Sequence, residues 1–139
     1  MSTRANFYVL LDETLVYQYY NHYDGYFKGL GNDLRTTILK VLGESTLTQE
    51  LSLRDILLEE LRINYEEENV SAVTQQNKLH PDIEYVYILD PITDRATISL
   101  YGYSLKHFRE FDKKTIKEVL ESVMQNGTKF DLNKEIDKG

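Results

Sequence analysis

The chain has 139 residues, 41% hydrophobic and 28% charged, with a formal net charge of −7, no cysteine and no tryptophan. That length supports one folded unit with its own core, and the lack of cysteine excludes disulfide scaffolds and thiolate zinc sites. The acidic balance argues against a direct, sequence-independent hold on nucleic acid, which depends on Lys and Arg at the phosphates. No apolar run reaches the roughly 20 residues that span a bilayer, and the start MSTRANFYVL lacks a signal-peptide pattern, so a cytoplasmic protein with no membrane attachment is expected.

Residues 5–11 (ANFYVLL) and 14–20 (TLVYQYY) are β-branched, aromatic and aliphatic runs separated by Asp12-Glu13, which predicts a tight hairpin. Simple alternation on the second run sends Leu15, Tyr17 and Tyr19 to one face and Val16, Gln18 and Tyr20 to the other. The run enters YYNHYDGYFKGLG (19–31), in which Asp24-Gly25 marks a turn. Past Gly29 and Gly31, Leu30, Leu34, Ile38, Val41 and Leu42 recur at three- and four-residue spacing. They predict a helix with Asn32 as N-cap and Gly43 as its stop. Leu51, Leu53, Ile56, Leu57 and Leu61 form the stripe of a second helix, with Ser52 and Asp55 resembling a capping box.

Residues 64–80 (NYEEENVSAVTQQNKLH) are polar without a sustained period and read as a long connection. IEYVYIL (83–89) and RATISLYGY (95–103) flank Asp90-Pro91-Ile92-Thr93-Asp94 as a second hairpin. A third helix, capped by Asp112, carries Ile116, Val119, Leu120, Val123 and Met124 and ends at Asn126-Gly127. The predicted fold is α+β: about four antiparallel strands in two hairpins, with three amphipathic helices packed on one face. Residues 1–127 make the single domain, and 128–139 a charged, frayed tail from which Phe130 and Leu132 can dock.

Eleven tyrosines against five phenylalanines is the compositional anomaly. All but Tyr65 fall in predicted strands or the turn after one, where a covered ring can keep its hydroxyl wet or paired. The densest stretch offers His22 and Asp24, an imidazole and a carboxylate in H-x-D order. An enzymatic reading makes them a general base and its orienter. Turn chemistry is the better explanation, with Asp24 accepting backbone N–H bonds, because no nucleophile stands at a fixed offset. The stretch is therefore assigned as a ligand or partner surface of Tyr20, His22, Tyr23, Asp24 and Tyr26. Gly25, Gly29 and Gly31 before a helix suggest an anion cradle, with Lys28 and Arg35 as counter-charges, although they fit no phosphate-binding motif.

Glu59, Glu60, Glu66, Glu67 and Glu68 make an acidic patch that a basic partner surface would fit. A metal site would need His80 and Asp82 to meet His22 and Asp24 across the sheet end; with no ligand-spacing motif, neither metal nor cofactor is expected.

The order Thr3-Arg4-Ala5, an apolar strand, Tyr20, His22, Asp24-Gly25-Tyr26, and later Asp82-Ile83-Glu84-Tyr85-Val86-Tyr87 resembles small proteins encoded by bacteriophages and prophages. Those carry a Y-x-H-x-DGYP turn and a DIEYxYxID strand; here Phe27 stands in place of the proline. The resemblance covers both hairpins and carries no catalytic assignment. It implies a non-enzymatic accessory protein that acts by binding, as an inhibitor of a host or defence component or by sequestering a small signalling molecule. A homodimer or higher oligomer would be formed through tyrosine-rich surfaces. The alternatives are a small hydrolase or nucleotide-processing enzyme using His22 and Asp24, and an acidic mimic of nucleic acid.

Overall fold

The computed structural model describes residues 3–11, 14–47, 52–65, 83–107, 110–111 and 114–136. In chain order the elements are strands β1 (Ala5–Leu11) and β2 (Thr14–Asn21), a wide helical turn (Phe27–Gly31), and helices α1 (Asn32–Leu47) and α2 (Leu53–Asn64). Then come β3 (Tyr85–Ile92), β4 (Thr97–Ser104), α3 (Ile116–Asn126) and the short β5 (Thr128–Lys129).

The α+β class holds, but the sheet has five strands and is mixed. Its order is β2-β1-β3-β4-β5. Both expected hairpins form, and they join through their first strands: β1 and β3 run parallel, from Ala5 opposite Tyr85 to Val9 opposite Leu89. A parallel pair needs a long crossover, and α1 and α2 lie within it.

The helices cover both faces of the sheet instead of one. Ala5, Phe7 and Val9 face a core with Leu34, Ile38 and Val41 of α1 and Ile56, Leu57 and Leu61 of α2. Tyr8 and Leu10 face the other way, into a core with Ile116, Val119, Leu120 and Val123 of α3. Every residue of β1 except Leu11 is buried. A strand apolar on both faces belongs in the middle of a covered sheet, so the run ANFYVLL already carried that signal.

Register and caps differ from expectation in four places, Asn32 among them. The β1–β2 ladder shifts between Val9, opposite Tyr17, and Leu10, opposite Leu15, so Val16 is the extra residue of a bulge. Leu15 thereby joins the α3 side and Val16 packs with Tyr19 on the α1–α2 side. Helix α1 runs through Gly43 to Leu47. Ser52 caps α2 as predicted, accepting from the Asp55 amide, whereas α3 is capped by Thr115 in a full capping box with Glu118. Asp112 lies outside the described residues.

The segment after Gly127 is built into the fold. Thr128 and Lys129 pair with Gly102 and Tyr101. The Phe130 amide donates to the Leu100 carbonyl, and its ring meets Phe27 edge-on at 5.1 Å. Ile136 is buried. Asn32 does not act as an N-cap; it clamps residue 136, its Nδ2 donating to the Ile136 carbonyl at 2.7 Å and its Oδ1 accepting from the Ile136 amide at 2.8 Å.

Candidate functional site

The turn after β2 is held from several sides. The Gly25 amide donates to the Thr3 carbonyl at 2.9 Å, and the Leu30 amide to the Asp24 carbonyl at 2.8 Å. From the sheet, the buried Tyr87 hydroxyl donates to the Gly25 carbonyl at 2.6 Å, and burial holds that phenol far above its ordinary ionisation range. Asp24 takes the left-handed conformation, at φ 54°. Glycine is required at 25 and 29 by close approach: a Cβ at 25 would lie 2.7 Å from Ala5 Cβ, and one at 29 would lie 2.3 Å from the Asp24 carbonyl oxygen.

Among the described residues, no hydrogen bond or ion pair joins His22 to Asp24. His22 Nδ1 is 3.1 Å from the Tyr20 hydroxyl, and the Tyr23 ring stands perpendicular to the imidazole at 4.6 Å. The Asp24 carboxylate accepts from the Tyr26 hydroxyl at 3.4 Å, and its backbone carbonyl, rather than the carboxylate, closes the turn. The turn therefore brings Tyr20, His22 and Tyr23 together as one group in contact, with Asp24 and Tyr26 as a second. Tyr23 is 68% exposed, the most solvent-open tyrosine of those assigned to this surface.

The anion cradle is not formed. The Gly25, Gly29 and Gly31 amides all donate within the chain, the last two to the Tyr26 carbonyl. Arg35 is turned toward the C-terminal segment, with Nη1 on the Leu132 carbonyl at 3.3 Å and Nε on Asn32 Oδ1 at 3.4 Å. Lys28 remains exposed. Of the strand tyrosines, Tyr8, Tyr17 and Tyr87 are fully buried, Tyr85 lies against Phe27 at 5.2 Å, and Tyr101 and Tyr103 pack partly buried against the α3 core.

The acidic patch divides. Glu59 is exposed, while Glu60 is 9% exposed and bonded to Lys40 Nζ at 2.7 Å. That bond holds the Glu60 carboxyl below its ordinary value and lifts the Lys40 ammonium above its own. Glu66, Glu67, Glu68, His80 and Asp82 lie outside the described residues. Among the described residues no three His or acidic side chains gather into a metal-binding group.

Sequence reasoning missed a cleft of about 360 Å³ between α1 and α2, lined by Asp33, Thr37, Lys40, Glu60, Asn64 and Tyr65 among others. Partial burial, with the Asp24 charge adding, raises the Asp33 carboxyl above its ordinary value. Burial, then the Asp33 charge, pushes the Tyr65 phenol up to about 12. The available signal was Tyr65 itself, the tyrosine that no predicted strand or strand-end turn explained.

No protein-family model, curated protein or solved structure matches this chain. The class is therefore defined by the fold alone, an α+β protein with a mixed sheet covered by helices on both faces. No helix among the described residues is long and apolar enough to cross a membrane.

Proposed function

We propose that the protein acts by binding, with the turn after β2 as its contact surface. The observation that carries this is Tyr23, open to solvent on a turn tied to Thr3 ahead of β1, to Tyr87 of β3 and to Leu30 in the helical turn before α1. A large aromatic ring on a mount that needs no ordering loses little entropy on association, and such anchors dominate protein interfaces. The imidazole of His22 braces the ring edge-on, a positioning role that fits its contacts better than proton transfer through Asp24.

The resemblance to phage-encoded proteins supports an accessory role inside a bacterial host, through inhibition of a host or defence component or capture of a small signalling molecule. Self-association belongs to the same proposal. β2 ends the sheet, with no further strand on its outer side among the described residues, and an edge strand is a ready template for a second copy. Light scattering would then give at least twice 16.3 kDa at micromolar concentration.

The test is capture from host lysate with wild-type and Tyr23→Ala proteins of equal melting temperature, reading both proteins and small molecules by mass spectrometry. A partner retained by the wild type and lost by the variant is expected. Turnover of a substrate that disappears in a fully folded His22→Ala variant would overturn the proposal.

A further inference from the structure

The α1–α2 cleft carries a chemistry different from that of the turn. Among the described residues that line it the one ammonium is Lys40, already bonded to Glu60 at 2.7 Å, and Asn64 Nδ2 holds the same Glu60 oxygen at 3.2 Å. Asp33 has no Lys or Arg partner among the described residues, so two carboxylates and one ammonium leave the cleft with an uncompensated negative charge. The C-terminal end of α2 points the same way, because its last carbonyls present partial negative charge where Asn64 and Tyr65 sit.

The far wall is aromatic and fixed. The Tyr65 ring stands edge-on to Phe7 at 5.1 Å and to Tyr19 at 5.0 Å, and the Tyr17 hydroxyl holds the Tyr65 carbonyl at 2.9 Å. Oxygen acceptors complete the lining. Thr37 donates its hydroxyl proton to the Asp33 carbonyl at 2.9 Å and keeps its lone pairs, and Asn64 uses its amide N–H groups on Glu60, which leaves Oδ1. A carboxylate without a Lys or Arg partner among the described residues, an aromatic wall and neutral acceptors together match an organic cation, which gains from all three. A divalent metal ion wants several converging oxygen ligands, and of the two carboxylates here Glu60 is already committed to Lys40.

We infer that the cleft between α1 and α2 binds a primary alkylammonium or alkylguanidinium group, with Asp33 as its counter-charge and Tyr65 as its aromatic wall. At about 360 Å³ the space is at the small end for ligand sites and admits such a head group on a short chain. The head could belong to a free amine or to a Lys or Arg side chain of a partner, and the experiment separates these sources. This inference stands independently of the turn and of Tyr23.

Calorimetric titration at low ionic strength would use agmatine and 1,5-diaminopentane as free cations, a short Arg- and Lys-containing peptide, and 1-pentanol as the neutral control. Saturable binding of a cation is expected, with at least a tenfold loss of affinity in Asp33→Asn and a comparable loss in Tyr65→Leu. Asp33 belongs to neither core cluster, so its replacement leaves the core untouched. Movement of the Asn64 side-chain amide resonances on titration places the ligand in the cleft even where a variant is unstable. Free amines that bind with Asp33 dependence assign a small-molecule site; a peptide that binds with that dependence while free amines do not assigns a partner side chain. Absence of binding by all cations at millimolar concentration, or affinity unchanged in Asp33→Asn, would overturn the inference.

Discussion

At the scale of single residues, Asp24 decides the shape of the turn, and it does so through its backbone. At φ 54° a β-carbon is crowded, and Asp and Asn tolerate this conformation better than Ala does. Asp24→Ala should cost about 1–2 kcal/mol, whereas Asp24→Gly should be neutral or slightly stabilising. Urea melts of the two variants check this, and a glycine variant less stable than the alanine one would contradict it. The same substitutions remove a charge that raises the Asp33 carboxyl, so that carboxyl should titrate nearer its ordinary value in both. The dipeptide Asp24-Gly25 announced a turn in the sequence, but the division of labour inside it was illegible. Gly25 is needed because Ala5 and the Thr3 carbonyl crowd its α-carbon, a contact made across the fold that local chemistry does not encode. His22 pairs with Tyr20 instead of Asp24 because extended backbone sets residues 20 and 22 on one side, and the left-handed Asp24 then breaks that alternation.

At the scale of elements, the apolar stripes located all three described helices, because periodicity is a property of the segment itself. Ends were less legible: Thr115-x-x-Glu118 spells a capping box as clearly as Asp112 offers a cap, and geometry chose the box. The bulge at Val16 was invisible because it exists only in the register of β2 against β1. Gly43 illustrates the opposite error, a residue given structural meaning that it does not have. It sits within α1, and a Cβ there would meet nothing within 4 Å among the described residues. Gly43→Ala should therefore stabilise the protein by roughly 0.5–1 kcal/mol, read as a higher midpoint in chemical denaturation, through lower backbone entropy in the unfolded chain. A fall in the midpoint would show that the glycine is needed. The contact between α1 and α2 has its own signature in pH. Glu60 has a folded value below the ordinary 4.5, so its contribution is complete above that value and disappears as pH falls through the lowered one. Lys40 has a folded value above 10.5, so its share persists below that and is lost as pH rises through the raised value. Glu60→Gln should thus be less stable than wild type at neutral pH, with the gap closing in acid. A gap of constant size down to acid pH would show that the carboxylate charge is not what stabilises the contact.

At the scale of the whole molecule, the order of strands is set by what each strand can bury on both faces, and the segment after α3 completes that order. Its sequence is dominated by Lys, Asp, Asn and Glu, which hides the spacing of Phe130, Leu132 and Ile136, all packed against the α1–α2 core. Without this segment, β4 would be an edge strand, the Phe27 ring would lose its partner Phe130, and Asn32 would lose both bonds to residue 136. A glycine at 102 makes the docking specific: a Cβ there would lie 2.5 Å from the Phe130 ring, so the ring seats where no side chain projects. Ile136→Ala should cost about 2–4 kcal/mol by removing buried methyl groups, and Asn32→Ala about 1–3 kcal/mol by leaving the Ile136 backbone groups without their partners. Deletion of residues 130–139 should exceed either single change and lower the melting temperature by well over the several degrees that about 1 kcal/mol represents in a chain of this size. If the segment were a solvated tail, all three changes would leave thermal unfolding where it is, and a truncated chain melting with the full-length one would refute its place in the core.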